Sequence, residues 1–485
     1  MEYLYEKLRQ YEKSGHYGFH MPGHKRSSLL TGADLPYGID ITEIAGFDDL
    51  HHARGIIKEA QERAARVYCA GETHYLINGS TVGILSAILG CTSRGDRILM
   101  ARNCHRSVYN AVFLNDLQPV YIYPELGPCT KKASVNGEIS ALQVEEMLEA
   151  YPDIRAVVLT SPTYDGIVSD VRSIVECVHR KKIPMILDEA HGAHFGFHSY
   201  FPANGNELGA DIVIHSLHKT MPSLTQTALL HMNGDIIDRS RVRMYLHILQ
   251  SSSPSYVLMA SIDECIRVME QDREKIFDRY AAVLEGTRQK LGGLRHLRLL
   301  ETKRYDRSKL LFLTDNAGTA GHKERLGYTG KQLYHELNEK YMLQMEMAGP
   351  YHVIAMTSPC DSSAGMESLI RALTEIDGKL SICDKNAGFD SNKGDIDKVY
   401  SRNEQIYSIG EIYKFTNKTK TISISECGGC ISTEYAYIYP PGIPLIVPGE
   451  RISGGTVQQL MQYAELGFEI EGLQTGGKIE VLDNG

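Results

Sequence analysis

The chain has 485 residues, with 42% apolar and 23% charged residues, the balance of a soluble globular protein with room for two to four domains. A net charge of −9 argues against nucleic acid as the main partner. No apolar run approaches the roughly 20 residues needed to cross a bilayer. The first residues, MEYLYEKLRQYEK, read as an amphipathic helix and not as a signal peptide, so a cytoplasmic location is expected, with no membrane partner.

In chain order, the first distinctive segment is Phe19-His20-Met21-Pro22-Gly23-His24-Lys25, a Pro-Gly turn crowded by imidazoles and an amine that reads as a polar loop or a loop entering an active site. Carboxylates alternate with apolar residues over Asp40–Glu43 and Phe47–His51, and residues 56–68 have helical periodicity. Tyr75–Ile77 reads as a strand. It leads through Asn78-Gly79-Ser80-Thr81-Val82-Gly83 into a helix expected over Ile84–Leu89. A strand, a Gly/Ser/Thr turn and a helix N-terminus together make an anion site, because free N–H groups and the helix dipole converge there. The segment matches neither the Walker nor the dinucleotide pattern.

Strands and helices then alternate: strands at Arg97–Met100, Pro119–Tyr123, Ala156–Thr160, Met185–Leu187 and Ile212–Ile214, helices at Ser107–Leu114, Ala141–Ala150 and Val171–His179. Such alternation predicts a mostly parallel sheet covered by helices, with ligands at the carboxyl ends of the strands. Five of those ends are polar: Asn78–Thr81, Asn103–His105, Thr160–Thr163, Asp188–His191 and Ser216–Lys219. Five in one sheet point to a single site. Lys219 follows a β-branched buried strand with no room for a helix between; desolvated there, its amine becomes a usable nucleophile. The spacing of His191, His194 and His198 lacks a helical zinc motif, and an isolated Cys427-Gly-Gly-Cys430 lacks a second ligand pair, so no metal site is expected.

Beyond Leu230 the pattern changes. Helices are expected over Asp238–Gln250 and Tyr256–Leu291, split by Ser251–Ser255. A smaller α+β unit follows, with strands at Leu310–Leu313 and Val353–Met356 and helices at Lys331–Lys340 and Met366–Lys379. Cys383–Lys398 reads as a linker, and the last segment as β-rich, with four prolines between Tyr439 and Pro448 enforcing a rigid loop. The expected division is a major domain over 1–290, a small α+β domain over 291–383 and a C-terminal domain over 399–485.

One cofactor uses this set of groups: pyridoxal phosphate. A lysine (Lys219) joins it as a Schiff base, and a carboxylate (Asp188) keeps its pyridine nitrogen protonated. Hydroxyls at a helix start (Ser80, Thr81) hold its phosphate, and a flat ring (His105) stacks on it. The motifs FHMPGHK at 19–25, TEIAGFDDLHHARGII at 42–57, NCHRS at 103–107, TSPTYDG at 160–166, DEAHGAHF at 188–195, SLHKTMPSLTQT at 216–227 and YPPGIPLIVPGE at 439–450 resemble the Orn/Lys/Arg decarboxylase family. The likeness is strongest to its short members, those without an N-terminal wing domain, of the biosynthetic arginine decarboxylase type. The resemblance implies an aminotransferase-like fold (fold type I) and decarboxylation of a basic amino acid. Arginine going to agmatine is favoured, with lysine (to cadaverine) or ornithine (to putrescine) as alternatives. It also implies that His218 and Ser216 line the phosphate or the reacting face and that His191 sits beside the cofactor. A homodimer is expected, with 19–25 and 251–255 reaching a neighbouring site. For the substrate's basic end, Glu434 and Asp361 are the acidic candidates. Competing readings are an aminotransferase, which would need an arginine clamp that cannot be placed, a non-catalytic regulator, and a metal hydrolase.

Overall fold

The structure is a computed structural model. It describes residues 2–125, 135–314, 317–319, 328–382, 402–415, 418–440, 442–474 and 476–483. The expected linker at 383–398 lies outside the described residues.

The chain enters through α1 (Leu4–Lys13) and α2 (Ile56–Val67), then builds one seven-stranded sheet. Its strands are β1 (Glu72–Leu76), β2 (Arg97–Ala101), β3 (Gln118–Ile122), β4 (Ile154–Thr160), β5 (Met185–Asp188), β6 (Ile212–His215) and β7 (Ala228–Met232), in the order β1-β7-β6-β5-β4-β2-β3. Only β7 runs against the rest. The expected mostly parallel sheet is therefore present. Its central strands are apolar runs buried along their length, as helices on both faces require.

The covering helices are α3 (Gly79–Cys91), α4 (Arg106–Leu114), α5 (Ala141–Ala150), α6 (Val171–Arg180), a single turn α7 (Leu217–Thr220), α8 (Arg239–Leu249) and α9 (Tyr256–Leu291). In α6 the buried set Val171, Ile174, Val175 and Val178 follows the 3.6-residue repeat, and Asp170 caps the start by accepting from Ser173 N. By contrast, α3 is apolar all round and lies between the sheet and α8. A Cβ at Gly83 would come within 2.7 Å of Leu76 Cδ1, so a larger residue there would force the Leu76 side chain to move.

Two local expectations change. First, α3 begins at Gly79 and not near Ile84, which puts Ser80 and Thr81 inside its first turn. Second, the chain after β6 does find room for a helical turn: Ser216 precedes α7, which carries His218 and Lys219. The reason is that Met221 N bonds back to Leu217 O while Leu217 is buried in the core.

A second, antiparallel sheet holds β8 (Arg298–Leu299), β9 (Lys309–Leu313), β10 (Met347–Gly349) and β11 (His352–Met356), in the order β10-β11-β9-β8. It packs on α10 (Gly330–Tyr341) and α11 (Ser363–Lys379). Three backbone links fasten it to the loop after β4: Asp306 N donates to Gly166 O at 2.8 Å, Val168 N to Arg304 O at 3.2 Å, and Ile167 bridges Tyr305. The C-terminal region is built of two-stranded ribbons around the 454–465 helix. It docks at the end of β2, where buried Arg102 donates to Pro444 O at 2.6 Å and to both Glu450 carboxylate oxygens at 3.3 Å.

Candidate active site

The five polar strand ends meet at one edge of the large sheet. Lys219, half-buried on α7, places Nζ 2.9 Å from His191 Nε2. Burial lowers the Lys219 amine to about 8, against the pull of Asp188 and Glu346 and with the help of Lys309. Asp188 closes β5; it is buried, and its Oδ1 accepts from Ala190 N at 3.2 Å. Burial raises its carboxyl above the usual range, with the Lys219 amine acting in the opposite sense.

His105 precedes α4 as its N-cap. Its Nδ1 accepts from Ser107 N at 3.2 Å, so the proton of the neutral ring sits on Nε2. Burial, then the Lys219 and Arg106 cations, push it down to about 4, leaving a neutral flat ring at working pH. His218 Nδ1 donates to Thr227 O at 3.0 Å. Gly79 N donates to Gln226 O at 2.9 Å, which ties the start of α3 to the loop beyond Lys219. Thr81 and His105 share a cavity of about 370 Å³ with Arg106, Tyr437, Tyr439 and Glu471, so the C-terminal region forms one wall. Ser80 lies in the same first turn as Thr81.

The donor set fits pyridoxal phosphate. Ser216 Oγ is buried with no hydrogen-bond partner among the described residues, and so is Asn103 Oδ1. An orphaned buried hydroxyl costs roughly 1–3 kcal/mol, which a bound acceptor would offset. Beyond Gly79 N, the first turn of α3 supplies N–H groups without a partner inside the helix and two hydroxyls for a phosphate. Asp188 supplies a desolvated carboxylate, and Lys219 an amine of depressed basicity.

The three clustered histidines separate. His191 joins Lys219, His194 Nε2 donates to Asp306 Oδ1 at 3.0 Å, and His198 Nε2 faces Asp278 at 3.3 Å. Residues 19–25 do not reach Lys219 within one chain. His24 Nε2 meets Asp40 at 3.0 Å and His20 Nε2 meets Tyr11 at 3.1 Å, while Ser251 N reaches Asn78 Oδ1 at 3.2 Å. Neither acidic candidate for the substrate's basic end lines the cavity. Glu434 is buried in the C-terminal region, its carboxylate taking Gln474 N at 2.9 Å and Glu480 N at 2.8 Å. Asp361 accepts from Ser358 N at 2.7 Å in a turn. The carboxylate on the cavity wall is Glu471, which sequence reasoning missed. It also missed Lys309, whose Nζ lies 3.1 Å from His191 Nδ1, and Tyr164, whose ring edge packs on His191 at 4.8 Å between centroids. A lysine opening the apolar run KLLFL reads as a solvated strand end, so no local signal marked it.

The family model for the Orn/Lys/Arg decarboxylase major domain matches residues 3–302, and the model for the C-terminal domain of the same enzymes matches 410–475. An uncharacterized protein of Bacillus subtilis, YaaO, is 35% identical over 97% of this chain and 95% of its own length. The arginine decarboxylase of Halalkalibacterium halodurans is 29% identical over 94% of this chain and 91% of its own. Among solved structures, the Francisella novicida lysine decarboxylase LdcF superposes with a TM-score of 0.82 at 19% identity, covering 99% of this chain and 81% of that one.

Proposed function

The chain belongs to the Orn/Lys/Arg decarboxylase family, and on that premise we propose that it uses pyridoxal phosphate to decarboxylate a basic amino acid, arginine giving agmatine and carbon dioxide. The observation that carries this reading is Lys219. Its amine is desolvated to about 8, it lies against His191 and in the field of buried Asp188, and it stands at the strand-end edge of the sheet. When bound, pyridoxal phosphate supplies an electron sink for the bond to the departing carboxylate.

The chain's own residues do the rest. Lys219 would provide the amine that holds the cofactor. Asp188 would pair with the ring nitrogen and keep it protonated. His105 presents a neutral face to the ring. Ser80, Thr81 and Ser216 bind phosphate oxygens, with the α3 N-terminus adding its dipole. His191 orients Lys219 Nζ. His218, its Nδ1 proton committed to Thr227 O, lines the reacting side as an acceptor, and Lys219 returns a proton to the substrate's α-carbon. Glu471 on the cavity wall receives the guanidinium.

Lysine and ornithine remain the alternative substrates, since they differ from arginine in head group and chain length, and the structural relatives include lysine decarboxylases. The division at 290 and 383–399 into three domains belongs to this reading, as does a cytoplasmic location; the eight cysteines the structure describes are unpaired thiols. So does a homodimer. Phe19, Met21, Leu29 and Leu30 are 91%, 66%, 87% and 98% exposed, a run of apolar side chains that a second copy would cover. Light scattering should return twice the chain mass.

The deciding experiment is carbon dioxide release from arginine, lysine and ornithine, each supplied separately with added pyridoxal phosphate, beside a Lys219→Ala control. Release from arginine, absent in the control, is expected. A visible cofactor band without release from any of the three would leave the fold and cofactor standing and overturn the reaction.

A further inference from the structure

His191 carries an amine at each ring nitrogen. Nε2 lies 2.9 Å from Lys219 Nζ, and Nδ1 lies 3.1 Å from Lys309 Nζ. Lys309 is fully buried at the start of β9, beyond the residues matched by the major-domain family model. A neutral imidazole has one N–H and one lone pair, so it accepts from one amine and donates to the other. The amine that receives the ring N–H must itself be unprotonated. An imidazolium would require both amines to be neutral. Burial, followed by the two lysines, holds His191 well below its usual range and removes that state.

The surroundings of the two amines decide which one is charged. Lys309 Nζ is 4.0 Å from Asp306 Oδ2, an oxygen buried without a hydrogen-bond partner among the described residues. The other oxygen, Oδ1, accepts from His194 Nε2 at 3.0 Å, Ser308 N at 3.0 Å and Ser308 Oγ at 2.7 Å. Burial works to raise Asp306, but His194 and Lys309 overcome it, so the group is a carboxylate. A buried carboxylate needs a cation beside it, and Lys309 is in place to be that cation. Burial lowers the Lys309 amine from its usual range, and Asp306, then Glu346 and Asp165, oppose it by adding negative charge around the group. Lys219 instead faces Asp188, which burial pushes toward its neutral form. The remaining groups facing His191 are His105, His218 and the Tyr164 ring, whose hydroxyl donates to Glu346. Gly166, at φ +97°, packs beside Lys309: a Cβ there would lie 3.0 Å from the Tyr305 ring and 3.3 Å from Lys309 Cβ.

We propose that Lys309 is a positioning residue of the active site: its ammonium, anchored by Asp306, donates to His191 Nδ1, which places the imidazole proton on Nε2 and aims it at the lone pair of an unprotonated Lys219. The same line can move a proton. Lys309 releases one to Nδ1 as Nε2 passes its own to Lys219, so the ammonium changes ends, the imidazole changes tautomer, and the total charge stays the same. The small sheet thereby sets the protonation of an amine on the large one. The inference rests on the reading of Lys219 as the cofactor-bearing amine.

Two measurements on cofactor-free protein test it. Nitrogen NMR of histidine-labelled protein, with His191→Gln for assignment, should show His191 protonated on Nε2 with Nδ1 as acceptor; protonation on Nδ1 would overturn the proposal. The rate of covalent capture of added pyridoxal phosphate, followed by absorption against pH, should rise with a midpoint of about 8 in the wild type. Removing the Lys309 cation in Lys309→Met should raise that midpoint by roughly one unit, and Lys309→Arg should restore it toward the wild-type value. A folded Lys309→Met with an unchanged midpoint overturns the proposal. If that variant does not fold, the wild-type tautomer decides. Capture that persists in Lys219→Ala would instead sink the assignment of Lys219, an outcome distinct from either failure above.

Discussion

Two buried networks lie on either side of the end of β5, and each is built around an imidazole engaged at both ring nitrogens. Adjacent positions on an extended chain turn their side chains apart, so Asp188 faces Lys219 while Glu189 faces His215. Behind the site the line is closed. Thr73 Oγ1 meets His231 Nδ1 at 2.7 Å, His231 Nε2 meets His215 Nδ1 at 3.0 Å, and His215 Nε2 meets Glu189 Oε2 at 2.7 Å. A hydroxyl donor at one end and a carboxylate acceptor at the other let every proton point the same way. Gly205 N adds a further donor to Glu189 at 2.9 Å. In front, His191 lies between two amines and Ser216 Oγ has no partner among the described residues. The first network is complete without a ligand; the second, on the proposed function, would be completed by one. Burial and hydrogen bonding alone therefore do not mark a functional site. What marks this one is that its buried polar atoms, Ser216 Oγ and Asn103 Oδ1, lack a partner among the described residues.

The comparison can be broken in order of effect. Asp188→Asn removes the charge from the front network. Turnover should fall on the order of a hundred- to a thousandfold, the range for deleting one preorganised charge partner, while cofactor binding, read by absorption, changes far less. Wild-type turnover in that variant would remove Asp188 from its role. His215→Leu breaks the rear network and leaves Glu189 buried without its partner. Denaturant unfolding should show a loss of about 3 kcal/mol or more, with turnover per folded molecule little changed. A large drop in turnover without a stability loss would mean that the two networks are one. Glu471→Gln touches only the cavity rim. The KM for arginine should rise by less than about fivefold with kcat unaltered, since a partly solvated ion pair contributes at most about 1 kcal/mol. An unchanged KM would place the head group elsewhere.

The large sheet was legible because its information is local. The runs at Arg97–Ala101, Ile154–Thr160 and Ile212–His215 are buried strands in any context that alternates with helices, and a parallel sheet aligns their polar ends. Asp188, His105 and Lys219 could be placed for that reason alone. The start of α3 was misjudged because glycine at 79 and 83 reads as a turn locally, whereas in the fold Gly83 is a packing contact with Leu76 and Ile214. Glu434 looked like a free carboxylate beside a proline-rich loop; the backbone N–H groups that claim it come from Gln474 and Glu480, far along the chain.

The sequence by itself determined the family, the order of elements and the residues at each strand end, since periodicity and turn chemistry act over a few residues. Tertiary structure alone decided that Lys309 meets His191 and that Glu471, not Glu434, lines the cavity. It also decided that Asp188 and Glu189, adjacent in the chain, serve opposite networks. Those choices depend on which distant surfaces pack together, and a buried lysine looks like any other lysine until the carboxylate that neutralises it is in place.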